Sequence, residues 1–546
     1  MAAGRKALRQ NMQYQGYCNQ ATNSEPIGRI DVSQMCAKEF YESFVKTRTP
    51  VVLMNAEQCP WWPQHLSAAR LRELSGNEWV RVERRDARGQ FGTQDAQDRE
   101  AMRLSQFLDL VEGRKCNEIA TASSSATTTQ QHDRGAAHYL STQSLEEDCD
   151  GATASVAAPF LRNVLRCQPE MLRPSLVPTL VPYQFNLWCG GSATQASSGL
   201  HHDFHDNIYC LLRGAKEFRL FSPKQAPKLP TRGFRENERE WSCLPNGLLC
   251  YMTGIREDGA PKLFAAEWKL EKLRRQFYEF KKRGEKVSKQ LREDLFLAER
   301  EVERLNEEDE EYELENISSS ALKPKDDDNS YSDLPNHFCL QSTSSASEPH
   351  GKYASVRLSS GEALYLPASW FHEVLSTGLE EESGSAFGSE GSDRSVHSQL
   401  SRSHCAFNFW FYPPSARGGS FETPYEDDFW LERYERNLKS DGLDATAIAR
   451  FQKQSVEKYM DCSSLRPSAM EKTGPLDNIS PCKDYMVSSN SNGCIPKPAV
   501  ASCAPRGFLR KRSALGYVEC YGAGAIRNLL KRRKIQEHRR QQIFQE

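Results

Sequence analysis

The stretch from Gly199 to Phe221 constrains this chain more than any other. It sets aromatic and branched residues between a Ser-Gly break and a Ser-Pro break, and it carries His201 and Asp203 one residue apart. Such a composition between breakers reads as a β-hairpin. Side chains along a strand alternate faces, so positions 201, 203 and 207 are expected on one face and His202 and Asp206 on the other. An H-x-D pair so placed can grip one ion. A second histidine, His372, follows an apolar run from Ala363 to Leu366 that also reads as a strand, after which Pro367 breaks the ladder and turns the chain. Two imidazoles and one carboxylate on one side of an iron(II) ion leave other positions open, the arrangement that suits activation of dioxygen. Taken alone, H-x-D is commonest as an ordinary feature of turns and strand edges. Its context strengthens it: Asn207 and Lys216 follow the first pair, and Phe407-Asn408-Phe409-Trp410 forms another strand-like run after His372.

The chain has 546 residues, 38% of them hydrophobic, which fits one sizeable core with large additions better than several independent cores. A formal net charge of −2 gives no global nucleic-acid signature. Seventeen cysteines lie scattered from Cys18 to Cys520 with no C-x-x-C pair, and the opening MAAGRKALRQ lacks an apolar signal core. Reduced thiols in an intracellular protein, nuclear or cytoplasmic, are expected. No apolar run approaches the ~20 residues that span a bilayer, so no membrane association is expected.

Residues 1–25 read as disordered. Helices are expected at Ala37 to Thr47, around Leu66, Leu71 and Leu74, and at Met102 to Glu112, with strands at Pro50 to Met54 and Val80 to Val82. Thr121 to Gln131 reads as a loop. The run Pro182 to Gly191 reads as a strand entering the core, with Phe185 and Trp188 as packing residues. Residues 224–352 have a different grammar. Leu270, Leu273, Phe277, Phe280, Val287, Leu291, Ala298, Val302 and Leu305 recur at helical steps among many charges, a narrow apolar seam within a charged helix over 264–316. Gly284 interrupts it, giving either one long helix with a weak joint or a helical hairpin. A solvated helix beside the core and a partner-binding coiled coil both fit that seam. Residues 317–350 are acidic and Ser-rich and read as disordered.

With these pieces in place, the chain resembles the jumonji C (JmjC) oxygenases, which depend on iron(II) and 2-oxoglutarate, and especially the small cupin-like members that hydroxylate proteins. The matching segments are LHHDFHDNIYCLLRGAKEFRLFSP, LYLPASWFHEV and FNFWFYPP, with YESFVKTRTPVVLMNAEQCPWWP upstream. The likeness covers roughly residues 27 to 223 and 353 to 436. It implies an α+β fold with a mainly β core, a double-stranded β-helix (cupin or jelly-roll) barrel. N-terminal helices, the inserted helical element and disordered segments are added to that barrel. Residues 26–223 would supply the N-terminal part and first half of the barrel, 353–416 the second half with a flexible loop at 378–403, and 417–440 a closing segment. It makes His201, Asp203 and His372 the iron ligands, Lys216 the cation that pairs with the distal carboxylate of 2-oxoglutarate, and dioxygen the oxidant. Ser198, Asn207 and Asn408 match polar positions that in some relatives contact the cosubstrate or line its pocket. Read by itself, Lys216 in a Gly-Ala-Lys-Glu turn would instead be a solvated surface residue.

The tail 441–546 reads as mostly disordered and ends in a basic helix. Lys531-Arg532-Arg533-Lys534 is either a nuclear-import signal, a nucleic-acid contact or a solvated helix face. The implied function is a dioxygenase that hydroxylates or N-demethylates a protein side chain, a histone being one such substrate. A catalytically silent scaffold and an RNA- or nucleotide-modifying oxygenase are the alternatives. No feature of the sequence indicates an oligomer.

Overall fold

The computed structural model describes residues 14–18, 25–85, 99–113, 138–146, 153–191, 196–229, 242–250, 254–320, 353–377, 403–415 and 419–443. The expected loop at Thr121 to Gln131, the segments 321–350 and 378–402, and the basic cluster at 531–534 lie outside them.

Two sheets form the centre. The larger has nine strands, in spatial order Arg29–Asp31, Val51–Met54, Ala363–Leu366, Asp206–Arg213, Ser403–Phe411, Pro182–Gly191, His138–Leu140, Trp79–Arg84 and Glu100–Arg103. The smaller runs Glu25–Pro26, Ala354–Leu358, Ala215–Phe221, Phe371–Thr377 and Ala196–Ser197, with His201–His202 also pairing on Phe371–Thr377. From Asp206 onward the chain keeps changing sheet. Asp206–Arg213 lies in the large one, Ala215–Phe221 and Ala354–Leu358 in the small, Ala363–Leu366 in the large, Phe371–Thr377 in the small and Ser403–Phe411 in the large. This is the α+β jelly-roll architecture expected from the sequence.

The hairpin expected over Gly199 to Phe221 does not form. Asp206–Arg213 pairs with Ala363–Leu366 and Ser403–Phe411, whereas Ala215–Phe221 pairs with Ala354–Leu358 and Phe371–Thr377. Gly214, at φ +87°, carries the chain from one sheet to the other, and a bulge between Leu211 and Arg213 precedes it. A side chain at 214 would be strained there, and its Cβ would stand 2.9 Å from that of His404. The link is therefore a corner rather than a tight turn. The continuous alternation expected from 201 to 207 is likewise broken, because the strand His201–His202 ends before Asp203.

Alternation within each strand then sorts side chains into two cores. Ile208, Cys210, Phe407, Phe409, Phe411, Phe185 and Tyr365 face outward from the large sheet into the main core. Tyr209, Leu211, Phe218, Leu220, Val356, Leu364 and Trp370 fill one part of the space between the sheets. The other part receives polar residues of the same strands. Trp188 faces that interior while Phe185 packs outward.

The outward core is covered by helices. Ala37–Phe40 starts at a capping box formed by Cys36 and Glu39 and continues as a π-turn over Tyr41–Val45. Ala68–Ser75 is capped by Ser67, Leu104–Glu112 ends at Gly113 in the left-handed conformation, and Pro159–Cys167 opens on its proline. The helix expected from Met102 begins two residues later, since Glu100–Arg103 joins the sheet edge. The closing helix Phe429–Ser440 stacks Trp430 on Tyr412, ring centres 3.5 Å apart.

The inserted segment is a helical hairpin, Lys262–Lys282 and Lys289–Ser320, joined where Gly284 adopts φ +71°. Leu270, Val287, Leu291, Ala298 and Leu305 of the expected seam are buried, and Arg274 pairs with Glu299 across it. At its base Trp268 packs edge-on against Phe429 and donates to Glu432, which Lys272 also bonds. Among the described residues no helix is long and apolar enough to cross a membrane.

Candidate metal centre

The fold brings His201, Asp203 and His372 together from two distant segments. The strands His201–His202 and Phe371–Thr377 pair with His201 directly opposite His372, which places their rings 4.3 Å apart. Asp203 follows immediately. One of its carboxylate oxygens lies 3.7 Å from Nε2 of His372, and one ligand atom from each of the three residues lies within 4.8 Å of the others. Among the described residues no other group of histidine, cysteine and carboxylate side chains converges in this way.

Local backbone geometry aims the two imidazoles. Nδ1 of His201 lies 2.9 Å from the Gly199 carbonyl, and Nδ1 of His372 lies 3.0 Å from the Trp370 carbonyl. Each carbonyl accepts a hydrogen bond from Nδ1–H, which fixes the tautomer and leaves the Nε2 lone pair for a metal. Burial lowers the proton affinity of both rings to a pKa of about 4, helped at His201 by the neighbouring His372, so both are neutral near pH 7. Burial pushes the Asp203 carboxyl upward, against the pull of His201. Two neutral imidazoles and a desolvated carboxylate fit a divalent ion. His202 points away between Phe204 and Phe371, its ring 4.7 and 4.9 Å from theirs.

A buried ion pair holds the turn that delivers His372. Arg48, absent from the sequence-derived site, makes a two-pronged contact with Asp206, one prong at 2.8 Å, and Asp206 also accepts from Tyr365 Oη at 2.8 Å and from the Ala368 amide at 2.9 Å. In the same turn Ser369 adopts a left-handed φ of 63°, and its amide donates to the Asp203 carbonyl at 2.6 Å. The segments carrying Asp203 and His372 are thus tied together by backbone as well as by side chains.

Lys216 is not a surface residue. It is 1% exposed, projects into the space between the sheets opposite Ser376, donates to that hydroxyl, and sits 5.5 Å from the centre of the Tyr139 ring. His372 and Ser376 lie on the same face of one strand, roughly 13 Å apart along it. Among the described residues no carboxylate lies within ion-pair distance of Lys216, and burial lowers its pKa to about 7. An ammonium in that state is costly to bury without an anion.

The remaining candidates divide. Asn207 and Asn408 are buried and bonded to each other at 3.1 Å, and Asn408 accepts from Trp188 Nε1 at 2.9 Å, a polar chain on the interior face. Ser198 is committed to the backbone: its hydroxyl accepts from the Val374 amide and donates to the Gly199 carbonyl, both at 3.0 Å. It braces the strand that carries His372. Tyr139 and His404, both lining the Lys216 end, carry no sequence signal: Tyr139 belongs to a short strand without a recognisable motif, and His404 precedes the FNFWFYPP segment on its strand.

Comparison with known proteins agrees with this geometry. A family model described as a cupin-like domain matches residues 37–417. The chain is also 28% identical over 487 residues to JmjC domain-containing protein 4 of Schizosaccharomyces pombe, covering 79% of this chain and 93% of that protein. With a sheet-switching β core, a His-Asp-His cluster inside it and a family match spanning most of its length, the chain belongs to the cupin-like domain family.

Proposed function

We propose that the protein is an iron(II)- and 2-oxoglutarate-dependent oxygenase whose substrate is a protein side chain. His201, Asp203 and His372 would hold the metal, and Lys216 with Ser376 would hold the distal carboxylate of the keto acid. The observation that carries this reading is Lys216: a cation fully buried, with no carboxylate beside it among the described residues, at the far end of the interior that contains the ligand cluster. A purely structural barrel would gain stability from an apolar residue there. A catalytically silent scaffold leaves this charge unexplained.

When bound, iron(II) with 2-oxoglutarate and dioxygen supplies the oxidising power to insert oxygen into a C–H bond, with succinate and carbon dioxide as the other products. The chain's own part is to bind, orient and shield. The Nδ1–H bonds of His201 and His372 keep their Nε2 atoms aimed without rearrangement when metal arrives. Lys216 and Ser376 would hold the far end of the cosubstrate and so restrict its orientation. The Asn207–Asn408–Trp188 chain stiffens the wall between these two ends. Hydroxylation is the general outcome, and the same step on an N-methyl carbon ends in demethylation.

Anaerobic titration with iron(II) and 2-oxoglutarate tests this through the metal-to-ligand charge-transfer band in the visible region. The band is expected in the native protein and absent in His201→Ala and Asp203→Ala. An unchanged band in both variants would remove these residues from the metal site. Mass spectrometry of proteins captured by the inactive variant then identifies the substrate, by gain of one oxygen or loss of one methylene after treatment with active enzyme.

A further inference from the structure

Resting on that reading, we propose that His404 is a second hydrogen-bond donor to the distal carboxylate of the keto acid, and so a determinant of its selection over keto acids that lack this group. His404 lies on the Ser403–Phe411 strand. It faces the same side as Ala406 and Asn408, into the interior, and its strand partner is Gly190. It is 1% exposed, and among the described residues neither of its ring nitrogens has a hydrogen-bond partner. Leaving a buried imidazole unsatisfied at both nitrogens is expensive, and a buried polar group with no partner implies a bonded species that completes it.

The surroundings say what that species is. The His404 ring rests against Tyr139 at 5.5 Å between centres, and the Lys216 ammonium lies 5.5 Å from the centre of the same tyrosine ring. Among the described residues the charged groups acting on the imidazole are Lys216 from the Ala215–Phe221 strand, Arg213 from the corner before it and Arg85 just after Trp79–Arg84, all cations. They and burial hold the ring neutral, so it offers one N–H without needing a proton from solvent. A neutral donor set among cations suits an acceptor-only, negatively charged group, which a carboxylate is. Space is kept for the ring by two glycines: a Cβ at Gly190 would stand 3.4 Å from its Cε1, and one at Gly214 would stand 2.9 Å from its Cβ.

The test compares two ligands in one titration. 2-Oxopentanoate has the chain length of 2-oxoglutarate with a methyl group in place of the distal carboxylate, and both are titrated anaerobically against the iron(II)-loaded full chain. In His404→Phe, which keeps the ring and drops the nitrogens, affinity for 2-oxoglutarate is expected to fall on the order of tenfold or more. Affinity for 2-oxopentanoate is expected to stay within twofold of the native protein. Where the phenylalanine variant does not fold, His404→Leu is read by the same ratio. A ratio of the two affinities unchanged from native, whether both fall together or neither falls, would overturn the assignment. Failure of the native protein to give the charge-transfer band with 2-oxoglutarate would instead overturn the function proposed above.

Discussion

Lys216 has two opposed consequences, one for stability and one for binding. Its folded-state pKa of about 7 stands below the ordinary lysine value of 10.5, so the unfolded chain holds this proton more tightly. The resulting penalty is full below pH 7 and fades as pH rises toward 10.5. Lys216→Met should therefore raise the melting temperature of the ligand-free protein by roughly 3–8 °C at pH 6.5, with the gain shrinking toward pH 10. Binding runs the other way, because a dianion is held by the charged form. Affinity for 2-oxoglutarate should drop as pH climbs through 7, approaching about tenfold per unit above pH 8, while 2-oxopentanoate shows no such slope. Titrations of the charge-transfer band across this range check both ligands. The H-x-D spacing made the closeness of His201 and Asp203 legible at this scale, since the pairing of near neighbours is written in local sequence. His404 and Tyr139 were not legible, because what makes them special is the lysine that folding places beside them. The local sequence around Lys216 suggested a solvated turn, and only the family likeness pointed inward.

Among the elements, the turn from Pro367 to Trp370 does more than redirect the chain. Asp206 at the head of one strand accepts from the Ala368 amide in that turn, and Arg48 neutralises Asp206 from the end of the N-terminal helical segment. Arg48 is 2% exposed and Asp206 fully buried, so removing the cation strands a carboxylate in a dry core. Arg48→Met should destabilise the fold by about 3–5 kcal/mol, measured by chemical denaturation, with Asp206→Asn partly restoring the double variant. A loss below about 1 kcal/mol would show that solvent reaches the pair. Proline and the apolar run made the turn itself visible in sequence, whereas the arginine lies 158 positions from its partner, and nothing in the segment around it names that partner. The expected hairpin at Gly199 to Phe221 failed for a related reason: breakers mark where strands end but not which sheet the next strand joins. For the inserted segment the opposite held, since a seam with a glycine inside it left only the joint undecided. A left-handed Gly284 resolves it into two antiparallel helices.

Considered whole, the space between the sheets has distinct ends, the His201–Asp203–His372 cluster at one and Lys216 with His404 at the other. Both ends exist only when the strands from both halves of the sequence are paired, so ligands bind the folded state and not the unfolded chain. Stability should then report each end separately. Iron(II) under anaerobic conditions, at a free concentration near 100 times its dissociation constant, should add about 2.7 kcal/mol, and 2-oxoglutarate at the same excess a similar further amount. Removing the metal with a chelator should reverse both increments, because on the proposed reading the metal would hold one end of the keto acid. His372→Ala should show neither increment. Lys216→Met should keep the iron increment and lose most of the one from 2-oxoglutarate. Differential scanning calorimetry of the native protein and these two variants distinguishes this from a barrel that binds metal incidentally. In that case 2-oxoglutarate would add the same stabilisation with and without the lysine, and the two ends would not form one site.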